Sequence, residues 1–344
     1  MKRYLQQEVN SMGNGSVVFG KDNAMLNHIV LSETTEKLKA NEKVVIITQK
    51  DTYQDMNKIH NGTLHKVTTP LLSDIFTFCK KKNENDNEIE KAIFTDRLVA
   101  LRNHIEFLYK RNFTELERQT VFNVLEKLYQ APNDSEQYTL NCTPTMQEFL
   151  NSLTIENKLL AKELHLLIND YDLINKTSVI DLKDKLTIIQ FNMNSVDRHI
   201  ETVIISAYFS FLANHFLYTK DKTSIVIDRM QDHFKETEVY VALWYLTLFA
   251  KDRGYDCLLI EDSFNRFSSR KSNLKLLEKV DHIMLLNQIK EDDIAQYFSS
   301  SPEIKAISDY FGEEIADSVS SITKKNKCNA FFMSGCISGF LEIR

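Results

Sequence analysis

Residues 13–28 read GNGSVVFGKDNAMLNH, and this stretch decides the fold. Val17, Val18 and Phe19 form the short apolar run that a strand buried on both faces requires. Gly20 ends it. Apolar positions at helical spacing follow from Ala24 to about Lys39, with Leu26, Ile29 and Val30 on one face. The run KVVIITQ at residues 43–49 then reads as a second buried strand. Strand, helix and strand in quick succession predict a parallel pair joined by a right-handed crossover.

Outward from this unit the composition is that of a globular protein: 344 residues, 43% hydrophobic and 26% charged, with a net charge of -6 that supplies no global field for nucleic acid or anionic lipid. Only 8 Gly and 4 Pro occur, too few for long linkers or a turn-rich all-β fold. The five cysteines are scattered without CxxC spacing and read as reduced thiols of a cytosolic protein. The nine histidines form no HxxxH or HExxH pair, so no metal site is expected. The longest apolar tract, residues 203–218, is interrupted by Ser206, Ser210, Asn214 and His215, and reads as a buried helix.

The middle of the chain changes character. Residues 88–130 carry helical periodicity, with a capping box expected at Thr114 and Glu117; a second helix start is expected at Thr143 and Pro144, and residues 156–175 continue the pattern. The polar runs at 80–91 and 131–137 read as loops bounding this block. Strands are expected again at 185–193, 223–230, 257–262 and 282–288, separated by helices at about 195–218, 235–252 and 270–279. The closing segment NAFFMSGCISGFLEIR reads as a hairpin. The fold class is α/β: a mostly parallel sheet flanked by helices, formed by residues 1–80 and 178–344, with an all-α subdomain inserted at 88–176.

The order of these segments resembles the C-terminal motor domain of the large conjugation and type IV secretion ATPases, the TraC and TrsE-like group within the HerA/FtsK division of P-loop ATPases. The resemblance covers nearly the whole chain. FTELERQTVFNVLEKLY and TPTMQEFLNSL are similar to the helical segments of that family, TSIVIDRMQDHF falls at its Walker B strand, and HIMLLNQIKEDDIAQYF is similar to its "xIxLLNQxxxDxxxLxxxF" segment. The resemblance implies a RecA-like fold.

Departures concentrate at the chemistry. The family's first strand leads into GxxGxGK(S/T), whose lysine contacts phosphates and whose hydroxyl binds Mg²⁺. Here Gly20 keeps the first glycine and Lys21 and Asp22 follow it. Asn23 and Met25 stand at the later glycines, Leu26 at the lysine and Asn27 at the hydroxyl. At Walker B, Asp228 is kept but Arg229 replaces the catalytic acid and is expected to pair with Asp228. The acidic element after the second strand reads TQKDTY, keeping Tyr53; the sensor strand ends in Ile260 and Glu261; Ala250 falls near the trans-acting arginine. Leu26, Met25 and Ala250 are expected to fill the cleft.

The resemblance with these losses implies a pseudo-ATPase of a mobile element's transfer machine, with no catalytic residues and no cofactor. It would be a scaffold or regulatory subunit meeting secretion-system proteins such as an active homologous motor or coupling protein. It would be cytoplasmic, or held peripherally at the inner face of the membrane by those partners. Two alternatives stand beside it. One is an active ATPase with an unusual pocket, binding ATP and Mg²⁺ through Lys21 or a neighbouring chain. The other is a DNA-binding accessory factor using Arg266, Arg270, Lys271 and Lys275, interleaved with Phe264 and Phe267; the competing reading of that run is a solvated helix face over Leu274, Leu276 and Leu277.

Overall fold

The structure, a computed structural model, describes residues 15–67, 87–109, 111–130, 144–170, 182–192, 197–218, 221–230, 243, 246–247, 254–278, 280–286, 302–325, 329–334 and 337–342. The opening unit is β1 (Ser16–Phe19), α1 (Asn23–Lys39) and β2 (Lys43–Thr48), followed by a 3₁₀ turn (Asp51–Tyr53), α2 (Gln54–Ile59) and β3 (Thr63–Val67). Four helices come next: α3 (Asn87–Leu108), α4 (Glu115–Gln130), α5 (Met146–Glu156) and α6 (Lys158–Asp170). The chain then runs through β4 (Leu186–Phe191), α7 (Arg198–Tyr218), β5 (Thr223–Asp228), β6 (Cys257–Glu261), α8 (Phe264–Ser268), α9 (Lys271–Leu277) and β7 (His282–Leu285). It closes with α10 (Pro302–Phe311), α11 (Glu313–Lys325) and the hairpin β8 (Asn329–Ser334) and β9 (Ile337–Glu342).

The nine described strands form one sheet in the order β3-β4-β2-β5-β6-β1-β7-β8-β9. The pairings from β3 to β7 are parallel, and β8 and β9 join antiparallel. The strand at 186–191 lies directly beside the strand at 43–48, so the segments before and after the four helices share one sheet.

Alternation along the strands divides the core in two. Val18, Val44, Ile46, Leu186, Ile188, Val226, Leu258 and Ile260 face α1, where Leu26, Ile29 and Val30 cover them. Val17, Val45, Ile47, Ile189, Ile225, Ile227 and Leu259 face the opposite way, into a larger cluster with residues of α3 to α8. With both faces covered, the inner strands β1, β2 and β5 read as near-continuous apolar runs, and this is why the sequence shows them so plainly. The apolar tract of α7 is buried through Ile204, Ile205, Tyr208, Phe209 and Leu212, and no described helix is long and apolar enough to cross a membrane.

Several boundaries move. The helix expected from Thr143 starts two residues later, because Thr145 caps the backbone N–H of Glu148 (3.2 Å) while the Glu148 carboxylate accepts from the Thr145 N–H (2.7 Å). Thr114 and Glu117 make the same reciprocal pair at 3.2 and 2.7 Å. The polar run at 80–91, expected as loop, already enters α3 at Asn87. The helix expected at 235–252 lies outside the described residues except Leu243, Leu246 and Thr247, which are helical. The loop expected at 131–137 also lies outside them. Cys257, the cysteine within them, is buried, and burial pushes its thiol up to about 12.

Candidate functional site

In a parallel sheet, ligands bind beyond the carboxyl ends of the strands. Here the ends of β1, β2, β5, β6 and β7 lie on one edge, with Phe19 opposite Glu261 and Leu285, and Thr48 opposite Asp228. Asp22, Asn23, Asn27, Asp228 and Arg229 converge on that edge, and Arg229 bonds to Asp228, Asn23 and Asn27.

The turn after β1 is short. Asp22 caps α1, its carboxylate accepting the backbone N–H groups of Ala24 (2.9 Å) and Met25 (3.1 Å), so the helix begins at Asn23, three residues after Gly20. A phosphate loop needs those residues in a wide turn whose free N–H groups point at the ligand. In this chain they are helix, and the anion at the helix N-terminus is the protein's own carboxylate. Gly20 has a packing role: a Cβ there would come within 2.9 Å of Leu286 Cβ, and Leu286, fully buried, closes over it. Its N–H donates to the carbonyl of Glu261 at 3.0 Å.

The early start turns α1 so that Leu26 enters the core and is fully buried with Val18, Ile46 and Ile260. Leu26 and the partly buried Met25 therefore pack beneath the sheet face instead of filling the cleft, which corrects that expectation. Ala250 lies outside the described residues. Asn23 and Asn27, four residues apart, occupy the helix face toward β5.

Arg229 occupies the space between them and Asp228. Its Nε donates to Asp228 Oδ1 (2.7 Å), and Nη2 donates to Asp228 Oδ2 (2.9 Å), a fork-on-carboxylate pair. Nη1 donates to Asn23 Oδ1 at 2.9 Å, and Nη2 also donates to Asn27 Oδ1 and, at 3.3 Å, to the Tyr53 hydroxyl. Asp228 Oδ2 accepts further bonds from Thr48 Oγ1 (3.0 Å) and Tyr53 Oη (3.0 Å). Asp228 is 0% exposed and Arg229 6%. Arg229 stands at the end of β5 with a left-handed backbone, φ 54°, and its N–H donates to the Ile260 carbonyl (2.7 Å). Such a conformation is unfavourable for a side chain with a Cβ and persists only where other contacts hold it.

Burial opposes the charge on Arg229, but the Asp228 bonds outweigh it and raise the guanidinium pKa. Burial, then the Asp228 charge, raises the Tyr53 phenol, which stays protonated and donates. Both carboxylate oxygens of Asp228 and all three guanidinium nitrogens of Arg229 are thus engaged within the protein.

The Arg229 guanidinium lies where ATP-bound Mg²⁺ would be expected in this fold. The metal would have to lie between the hydroxyl-position residue and the strand-end aspartate, and the Arg229 guanidinium already joins those two, Asn27 and Asp228. No step of hydrolysis can be written through Arg229, which is a cation without a basic site. Lys21 is half-buried beside the turn, and Glu261 is fully buried at the end of β6.

The basic run lies elsewhere. Arg266 lies within α8, 3.9 Å from Asp262, Arg270 stands at the N-cap of α9 and Lys275 is exposed on α9; the side chain of Lys271 lies outside the described residues. Phe264 and Phe267 are buried, stacked edge-on against Phe19 at 5.1 and 5.2 Å, so they are unavailable to stack on bases. Leu276 and Leu277 are buried beneath this helix, with Leu274 packed on the same core, as a solvated face over apolar residues requires.

No protein-family model matches the chain, and no curated protein matches it by sequence. Solved structures do. VirB4 of Thermoanaerobacter pseudethanolicus superposes with a TM-score of 0.73 at 14% identity, over 96% of this chain and 89% of that one. The bacterial conjugative coupling protein TrwBΔN70, in complex with sulphate, superposes with a TM-score of 0.58 at 11% identity, over 98% and 86%. The plasmid coupling protein TrwB in complex with ADP and Mg²⁺ gives 0.57 at 10% identity, over 98% and 86%. The chain has the RecA-like P-loop ATPase fold that VirB4 and the coupling protein TrwB share.

Proposed function

We propose that this chain is a catalytically degenerate counterpart of the conjugation and type IV secretion ATPases, and that it acts by protein contact within a transfer machine. The observation that carries the reading is the Arg229 cluster: a guanidinium held on Asp228, Asn23 and Asn27 where a nucleotide-bound metal would be held. The Asp22 carboxylate supports it by capping the helix end that would face phosphate. A ligand shifts a conformational equilibrium only through differential affinity for its states. A site filled by its own side chains offers ATP none, so the domain holds one shape and serves to template, cap or bridge.

In this reading residues 1–80 and 178–344 are the RecA-like core and 88–176 an inserted helical subdomain. The partners are secretion-system proteins, such as an active homologous motor or coupling protein, and the chain works in the cytoplasm or at the inner membrane face through them. Affinity capture of the tagged chain from its host, with and without added Mg-ATP, tests it. Recovery of secretion components in equal yield under both conditions is expected. Recovery that depends on a hydrolysable nucleotide, or hydrolysis by the purified chain that Asp228→Ala abolishes, would overturn it.

A further inference from the structure

The helix α6 is apolar on two sides. Leu160, Ala161 and Leu164 are buried, and Leu167 packs on the same core, as an inward stripe requires. Leu159 and Leu166, seven residues apart and so in line along the helix, face outward at 69% and 54% exposure. Ile155, in the last turn of α5, is 85% exposed. Asn157 fixes the junction: its N–H donates to the Leu153 carbonyl (2.7 Å), ending α5, and its side-chain oxygen accepts from the Leu160 N–H (3.1 Å), capping α6. Three large apolar side chains are therefore held in solvent on rigid helices, leaving on the order of a few hundred Å² of apolar surface open.

Outside the described ion pairs, the charge around them is positive. Lys158, Lys162 and His165 are the other exposed positions of α6 among those described. The nearby acids are engaged: Glu156 pairs with Lys127 (2.6 Å) and Glu163 with Arg111 (2.8 Å). Among the described residues, neither Lys158 nor Lys162 is in an ion pair. On a chain of net charge -6, this face presents an apolar ridge beside uncompensated cations.

We infer that the α5–α6 face docks an acidic amphipathic helix of a partner protein, whose leucine-type anchors straddle Ile155, Leu159 and Leu166 and whose carboxylates meet Lys158 and Lys162. Anchors spaced i and i+7 span about 10.5 Å, two turns of a facing helix. A lipid surface is the poorer match, because a membrane-lying helix inserts a broad apolar face, and the broad face of α6 is already committed to the core. The inference rests on α5 and α6 alone and does not depend on the state of the nucleotide site.

Fluorescence anisotropy with the whole chain tests it. The probe is a labelled 18-residue peptide carrying leucine at helical i, i+3, i+7 spacing and glutamate on its flanks. Its lysine-flanked twin and phosphatidylglycerol vesicles are the comparisons. Saturable binding of the acidic peptide is expected, weakening with salt, and the double variant Leu159→Ser/Leu166→Ser should lower affinity at least tenfold. Lys158→Glu/Lys162→Glu should lower it similarly and create binding to the lysine-flanked twin. All four positions are exposed, so unchanged thermal midpoints should accompany both losses. The inference is overturned by absence of saturable binding, by binding that both double variants retain, or by a preference for the vesicles. It is equally overturned if the wild type dimerises and the leucine variant is monomeric, since that assigns the face to a second copy.

Discussion

Replacing Arg229 with methionine keeps an unbranched side chain while removing the charge and all five of its described side-chain bonds. Asp228, fully buried, would then keep only the hydroxyls of Thr48 and Tyr53. Removing one partner of a buried ion pair costs about 3–5 kcal/mol, because the remaining charge is stranded. At roughly 2–4 °C per kcal/mol for a domain of this size class, the thermal midpoint should fall by about 10 °C. Urea unfolding followed by circular dichroism gives the free energy directly. The double variant Asp228→Asn/Arg229→Met removes both charges, and its loss should be smaller than the sum of the single losses by at least about 2 kcal/mol. A loss below about 1 kcal/mol for Arg229→Met, or strict additivity in the double variant, would refute the claim that this pair closes the site.

Burial pushes the Glu33 carboxyl up to about 7, opposed by Lys37 and reinforced by Asp256, Glu36 and Glu42. The folded state therefore holds a proton the unfolded chain releases, and the stabilisation present below pH 4.5 is lost as pH rises through 7. Urea midpoints at pH 5 and pH 8 should show this decline in the wild type and a smaller one in Glu33→Gln. His104, buried with Nε2 2.8 Å from Ser206 Oγ, has the opposite sign: burial lowers it to about 4, so its contribution is present above pH 6.5 and lost as pH falls through 4. His104→Gln should flatten the acid limb, read by the same midpoints between pH 7 and pH 4. Thr145→Ala removes the cap of α5 and should cost about 1 kcal/mol in urea unfolding, whereas Thr154→Ala, inside that helix, should cost less.

The sheet was legible because its strands are buried on both faces, so that VVF, VVIIT and TSIVID stand out as apolar runs between helices. β3 was not. It is the edge strand on the parallel side of the sheet, half-exposed along TLHKV, and it lacks both the run and the alternation. Nor were α10 and α11 assigned, since the reading of the final segment rested on the hairpin. At the site, adjacency in sequence made the Arg229–Asp228 pair foreseeable. The rest depended on where α1 begins: read against a glycine-rich loop, Asn23 and Asn27 look like losses, but once Asp22 caps the helix they become two acceptors on one face. An aspartate directly before the helical run was the available signal. Arg229 meets them from a left-handed backbone at the end of β5, which no local pattern announces in a non-glycine residue.

The central claim is that the protein's own side chains occupy the site. Isothermal titration of the purified chain with Mg-ATP tests it most directly. Titration to millimolar nucleotide should give no saturable heat, and Leu26→Lys should be equally silent, because position 26 points into the core. Saturable binding in the micromolar range by the wild-type chain would contradict the account.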